Sequence, residues 1–257
     1  MGGALIGGLL AADIFKPAEI VVAEPGAARR RALKSKFRVR ALGDNRAAVA
    51  GAETVALAVK PQQMGAVLAE LAEEIGPNSL VISVAAGVRA GTIEKALGGL
   101  PVIRAMPNTP ALLRAGAMVF CLGKAARPAH EARARKILGA LGPVWKVEER
   151  HMDAVTALSG SGPAYVFYLA EGMARAGRTL GLPPDIAEAL ARQTVYGAGR
   201  LLAESPETAS ELRRRVTSPG GTTEAALNVL GDGRLMTILK STLSAARRRA
   251  KELSAAG

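Results

Sequence analysis

The chain has 257 residues, 49% hydrophobic, 22% charged and only 3% aromatic, a globular composition long enough for one large domain or two ordinary ones, with a core of Ala, Leu, Val and Ile. Its formal net charge is +12, but the arginine runs Arg29–Arg31, Arg213–Arg215 and Arg247–Arg249 lack the interleaved aromatics that stack bases and read as solvated helix faces, so no nucleic-acid partner is expected. No apolar run reaches the roughly 18 residues of a membrane helix, no leader with a cleavage site is read at the start, and one cysteine, Cys121, excludes an internal disulfide and a cysteine-based zinc site. The expectation is therefore a cytoplasmic protein with no metal site and no membrane partner.

In chain order, Gly2–Leu10 reads as a small-residue helix and Glu19–Glu24 as a strand. Strands are then expected at Lys36–Arg40, Thr54–Val59, Ser79–Val84 and Val102–Ala105. Helices are expected between them at Ala27–Ser35, Arg46–Ala50, Gln62–Ile75 and Thr92–Leu97. These strands are almost continuously apolar, as when both faces of a sheet are covered. Strand–helix–strand repetition points to a doubly wound, parallel, Rossmann-like sheet. Strands Ala117–Leu122 and Val144–Val147 flank a helix over Ala129–Leu141. Cys121 lies in the first of these and reads as a buried core thiol.

The beginning is unusual. A dinucleotide site needs a first strand and a Gly-x-Gly-x-x-Gly turn ahead of the opening helix. The chain starts inside that turn, with Gly2 as its third glycine, and we read Met1 as an internal start; the other reading is a genuine start with a different local fold. Loss of that turn would remove N–H groups that hold a pyrophosphate.

Beyond about residue 150 no further strand is expected. Helices are read at Met152–Leu158, Gly162–Leu180, Pro184–Glu204, Pro206–Val216, Thr222–Leu230 and Gly233–Leu253, punctuated by Gly and Pro. The expected division is a dinucleotide-binding domain over 1–150 and an all-helical substrate-binding and dimerisation domain over 151–257.

Four segments carry chemistry. Ala58-Val59-Lys60-Pro61 ends a strand and opens a helix. Ser83–Val88 ends the next strand in small residues, including Ala85 and Ala86. Small residues there let a flat ring approach the backbone at the carboxyl edge of an open sheet, although tight strand–helix turns alone would explain them. Met106–Pro110 (MPNTP) is a constrained loop with Asn108 available for hydrogen bonding, or simply a rigid turn. The sharpest signal is Val216–Thr223 (VTSPGGTT), a helix end, a turn on Pro and two glycines, and a new helix start whose free N–H groups attract a carboxylate. A second Gly/Ser-rich junction, Ser159–Tyr165 (SGSGPAY), precedes another helix. His130 and His151 read as exposed or structural.

Taken together and in this order, VTSPGGTT, SGSGPAY, MPNTP and AVKP resemble the pyrroline-5-carboxylate reductases, over Met1 to about Ala246. The resemblance implies reduction of 1-pyrroline-5-carboxylate to L-proline by NADPH or NADH, the last step of proline biosynthesis. It implies that Ala58, Val59, Lys60, Pro61, Ala85 and Ala86 meet the nicotinamide half of the cofactor, with Gly2, Asn45 and Asn108 as further cofactor contacts. Ser218, Gly220, Gly221 and Thr222 would hold the substrate carboxylate, and Thr223, the catalytic candidate, would bond the ring nitrogen. Self-association through the helical domain is also implied, each site taking helices from two chains, with larger rings of dimers.

Glu24, at the end of a strand, stands where a 2′-phosphate would approach. An acidic residue there favours NADH over NADPH, unless Arg29 or Arg30 compensates. No strong acid accompanies the substrate loop, so the imine is expected to bind already protonated. Of the rival readings, a β-hydroxyacid dehydrogenase would need a lysine early in the second domain, and none occurs between Lys146 and Lys240. A non-catalytic binder of proline-like ligands with an incomplete cofactor site is the other alternative.

Overall fold

The computed structural model describes residues 1–256. They separate into two compact units, one running Met1–Ser161 and including the stretch from Ala245 onward, the other Gly162–Ser244. Residues 151–161 and the end of the C-terminal helix therefore pack with the first unit.

In the first unit α1 (Gly2–Ala11) precedes β1 (Val21–Ala23), α2 (Ala27–Phe37), β2 (Arg40–Leu42), α3 (Asn45–Val49) and β3 (Thr54–Leu57). Next come α4 (Pro61–Leu71), β4 (Leu80–Ser83), α5 (Ala90–Ala96) and β5 (Val102–Met106). The unit continues with β6 (Met118–Leu122), α6 (Pro128–Gly139), β7 (Val144–Lys146) and the short α7 (Met152–Val155).

The strand expected over Lys36–Arg40 is corrected. The helix before it runs on to Phe37, Arg38 caps it in the left-handed region at φ 57°, and the strand begins only at Arg40. A left-handed residue ends a helix because it turns the chain out of the i→i−4 ladder. The strand expected over Glu19–Glu24 is shorter for a similar reason, a 3-10 turn at Pro17–Glu19 occupying its start.

Strands β1 and β2 pair parallel as one sheet, and β3-β4-β5-β6-β7 form another. The second sheet is not wholly parallel as expected, because β6 runs antiparallel to β5, with Ile103 opposite Leu122 and Met106 opposite Val119. The intervening residues 107–117 hold only a 3-10 turn, Thr109–Leu113. That is too short for the helical crossover a parallel neighbour requires.

Side chains alternate across this sheet. Leu80, Ile82, Ile103, Ala105, Met118 and Phe120 face one core layer with α1 and α6, and Val55, Leu57, Val81 and Val102 face the other with α3, α4 and α5. The small residues of α1 allow close approach: a Cβ on Gly8 would lie 2.8 Å from Leu141 Cδ2.

The second unit is helical. In it α8 (Gly162–Thr179) and α9 (Pro184–Glu204) form a hairpin, followed by α10 (Ala209–Arg215) and α11 (Thr222–Leu230). The last helix, α12 (Arg234–Ala256), begins in this unit and ends in the first. The α10 start expected at Pro206 is corrected to Ala209. Thr208 caps it, its hydroxyl accepting the Glu211 N–H while Glu211 accepts the Thr208 N–H. Among the described residues Ala174, Ala187 and Ala191 are the only buried ones of this unit, while Phe167, Tyr168 and Leu169 are exposed. No described helix is long and apolar enough to cross a membrane.

Candidate functional site

The residues expected on the cofactor side gather at the carboxyl edge of the first unit. Gly2 is the first residue of α1, and a Cβ there would lie 3.5 Å from Ala58 Cβ, just past β3. Lys60 is exposed and caps α4, whose first residue, Pro61, needs no hydrogen-bond partner for its nitrogen. After β4, Ala85 is buried and its N–H reaches the Ser83 hydroxyl at 3.4 Å. Gly87 follows in the left-handed region at φ 77°.

At the end of β1, the Glu24 carboxylate accepts the Gly26 N–H at 3.0 Å and pairs with Arg29 Nε at 3.2 Å. Arg30 donates to the carbonyls of Glu24 (2.7 Å) and Pro25 (2.6 Å), so its guanidinium braces the turn from below. Asn45 opens α3, and its side-chain amide donates to Glu70 at 2.8 Å, which leaves its carbonyl oxygen for a ligand. This donor set fits a nicotinamide dinucleotide. An acidic acceptor stands at a strand end, glycines open α1, and small residues follow β3 and β4, with Ala58 exposed, Ala86 half-buried and Ala85 buried.

Asn108 already has partners within the chain. Its amide donates to the Ser159 carbonyl at 3.1 Å and its Oδ1 accepts the Ala117 N–H at 2.9 Å. Both ends of the side chain thus tie Met106–Pro110 to its surroundings. The same loop meets the Ser159–Gly162 junction at Gly160, where a Cβ would come within 2.4 Å of Met106 Cε. That junction ends a π-helical turn, Thr156–Gly160, in which the Ser161 N–H reaches back to the Thr156 carbonyl at 2.8 Å. Such turns widen a helix and are frequent at functional sites. The sequence reading ended a helix at Leu158, inside this turn, and began the next at Gly162.

The residues expected to hold the substrate lie in the second unit, in the turn from α10 to α11. Gly220 has φ 70°, a conformation costly for any residue with a Cβ. Its N–H donates to the Glu224 carboxylate at 2.8 Å, and the Gly221 N–H donates to the Ser218 carbonyl at 3.0 Å. Gly221 caps α11, so Thr222 and Thr223 occupy its first turn, where N–H groups have no intrahelical acceptor. The hydroxyls of Ser218, Thr222 and Thr223 make no hydrogen bond among the described residues. The turn therefore presents hydroxyls and backbone donors, the chemistry that binds a carboxylate and a ring nitrogen. Behind it, the Thr208 backbone N–H and then its hydroxyl hold the Glu211 carboxyl below its ordinary range.

Sequence reading missed a charged cluster built around a buried arginine in the first unit. Arg104, inside β5, is 3% exposed and bonds Glu149 at 3.2 Å. Next to it on β6, Cys121 is buried, and desolvation first, then the Glu149 charge, push its thiol up to about 12. An arginine in an otherwise apolar strand was the available signal. His130 accepts the Arg127 N–H as part of a helix cap, and His151 lies exposed beside Arg150.

A family model described as pyrroline-5-carboxylate reductase dimerisation matches residues 149–253, and one described as NADP oxidoreductase, coenzyme F420-dependent, matches residues 1–87. The chain is 42% identical to the pyrroline-5-carboxylate reductase of Pseudomonas aeruginosa over 99% of its length and 93% of the relative's. It is 43% identical to that of Synechocystis sp., covering 98% and 94%. Among solved structures it is similar to a pyrroline-5-carboxylate reductase of Coxiella burnetii (TM-score 0.91, 41% identity, 98% and 94% covered). It is also similar to the Plasmodium falciparum pyrroline carboxylate reductase with NADP bound (TM-score 0.85, 27% identity, 99% and 94% covered).

Proposed function

The chain belongs to the pyrroline-5-carboxylate reductase family, and from that premise we propose that it reduces the C=N bond of 1-pyrroline-5-carboxylate to give L-proline, with NADPH or NADH as cofactor. It is an oxidoreductase of amino-acid biosynthesis. The observation that carries the substrate assignment is the turn Ser218–Thr223, with its left-handed glycine and its hydroxyls free for a ligand.

When bound, the reduced nicotinamide supplies the hydride. Gly2, Glu24 and Asn45 hold the adenosine and phosphate half, and Ala58, Val59, Lys60, Pro61, Ala85 and Ala86 line the nicotinamide half. Asn108 contacts the cofactor from a loop it also fixes, with one hydrogen bond at each end of its side chain and further donor and acceptor capacity at both. Ser218, Gly220, Gly221 and Thr222 anchor the substrate carboxylate. Thr223 directs its hydroxyl at the ring nitrogen, which arrives already protonated, so no side chain need act as a strong acid. Rate is gained by holding the imine carbon in place, a proximity effect.

The domain roles follow the same reading: cofactor binding by residues 1–150, substrate binding and dimerisation by 151–257. The match to a dimerisation family supports self-association, and we extend it to sites that take helices from two chains and to rings of dimers. A cytoplasmic location accords with a free thiol at Cys121. Glu24 at this strand end supports NADH as the preferred cofactor, with its partner Arg29 the cation that a 2′-phosphate would have to recruit from it.

The test is oxidation of NADH and NADPH by the wild-type chain and by Thr223→Ala with 1-pyrroline-5-carboxylate. The expected result is turnover by the wild type and a loss of about tenfold in kcat/KM for the variant, the size of one hydrogen bond to a charged group, with NADH affinity unchanged. Full turnover by Thr223→Ala removes that hydroxyl from the mechanism; no turnover by the folded wild type rejects the reading.

A further inference from the structure

Arg104 is a charged residue in the interior of a β-sheet, a place where a guanidinium is tolerated only if its partners are close. Its Nη1 lies 3.2 Å from Glu149 Oε1, and its Nη2 lies 3.8 Å from Asp153 Oδ1. Each of these oxygens has a second partner. Glu149 Oε1 accepts the N–H of Ala90, the first residue of α5, at 2.8 Å. Asp153 Oδ1 accepts the hydroxyl of Ser254, near the end of α12, at 3.1 Å. One buried cation thus gathers two carboxylates, and through them a helix start and the end of the C-terminal helix.

The first of those partners ends a loop, and the residue before the second packs against the same loop. The chain from Val84 to Arg89 joins β4 to α5 and carries Ala85 and Ala86. At its beginning Ala85 N–H faces the Ser83 hydroxyl, and at its end Ala90 N–H is held by Glu149. In the middle, Gly87 runs against α12: a Cβ on it would lie 3.1 Å from Leu253 Cβ and 3.3 Å from the Leu253 carbonyl carbon. The residue after Leu253 is the buried Ser254. The wall on Gly87 and the hydrogen bond to Asp153 are therefore adjacent positions of one helix.

We propose that Arg104 is a positioning residue for the reduction: through Glu149 and the Asp153–Ser254 pair it holds the Ala85–Gly87 loop in the conformation that receives the nicotinamide half of the cofactor. This rests on the proposed function, which assigns that loop to the cofactor. Arg104 itself lies behind the loop and acts through its carboxylate partners. A fork of donors serves two carboxylates at once, which an ammonium cannot do with the same geometry.

The experiment compares wild type, Ser254→Ala, Asp153→Asn and Arg104→Lys. NADH dissociation constants are measured by fluorescence, kcat and both KM values by turnover, and amide hydrogen exchange over residues 84–90 without cofactor. Ser254→Ala removes one hydroxyl and is the variant least able to disturb folding. It is expected to weaken NADH binding and raise KM for NADH by roughly three- to tenfold, the effect of one net hydrogen bond. Its KM for 1-pyrroline-5-carboxylate stays unchanged, and exchange over 84–90 becomes faster. Arg104→Lys is expected to give the same pattern, larger. Unchanged NADH binding and unchanged exchange in Ser254→Ala and Asp153→Asn overturn the positioning role while leaving the reductase reading intact. A folded wild type that binds neither NADH nor NADPH overturns both.

Discussion

The two units of this chain solve the problem of burial differently. The first hides large side chains completely: Phe120, Leu80, Ile82 and Ile103 lie between the sheet and its helices. In the second, Ala174, Ala187 and Ala191 are the buried residues, and α8 turns Phe167 (66% exposed) and Tyr168 (77%) outward. A helical hairpin stitched by alanines, with Gly177 letting Ala187 approach to 3.4 Å of its would-be Cβ, removes little apolar area from water. Exposed apolar surface on this scale marks an association face. The first unit is thus a finished core, whereas the second is half of one, and the match of residues 149–253 to a dimerisation family accounts for the other half.

Three substitutions break or sharpen that contrast. The largest effect is expected from Phe120→Ala, which opens a cavity in the closed core and costs ~3–5 kcal/mol in chemical denaturation. A value under 1 kcal/mol would mean that the first unit is less tightly packed than described. Next, Phe167→Asp places a carboxylate on the outward face of α8. Sedimentation should show self-association weakened by roughly two orders of magnitude, the range of an interface hot spot, with the sheet unit still folded. An unaltered oligomer would locate the association face elsewhere. The smallest effect concerns the cofactor edge of the first unit alone. Glu24→Ser is expected to raise affinity for NADPH relative to NADH by about tenfold, measured by direct binding of each, since Arg29 then loses its carboxylate partner and can turn to a phosphate. An unchanged ratio would remove Glu24 from cofactor choice.

Much of this was legible in the sequence because its signals are local. Largely apolar runs marked β3 to β7, and Gly and Pro marked the helix ends from α8 to α11 except the start of α10, which Thr208 sets. The turn at Ser218–Thr223 was readable because proline, paired glycines and threonines each restrict the backbone in a known way. What escaped depends on backbone geometry that residue type does not fix or on partners distant in the chain. Arg38 ends α2 by a left-handed conformation that its residue type does not announce. The π-turn at Thr156–Gly160 differs from an α-helix by one residue of hydrogen-bond spacing, a difference composition does not carry. The bond from Asn108 to Ser159 was not visible because the two lie 51 positions apart. Arg104 finds Glu149 45 positions on, and no local pattern links the two.

Cys121 gives the chain an internal clock. Its thiol ionises near 12 in the folded protein against 9.0 for an unperturbed thiol, chiefly because it is desolvated. The raised value contributes stability that is fully present below the unfolded thiol's pKa and is lost as pH climbs toward the folded one. At neutral pH the folded thiol is inert to alkylating reagents, because the thiolate is the nucleophile. Since this is the chain's only cysteine, every labelling event at neutral pH records one opening of the sheet around Arg104. Where reclosing outpaces labelling, the rate of that single modification therefore reports the fraction of time the region is open, and cofactor that steadies the neighbouring loop should slow it.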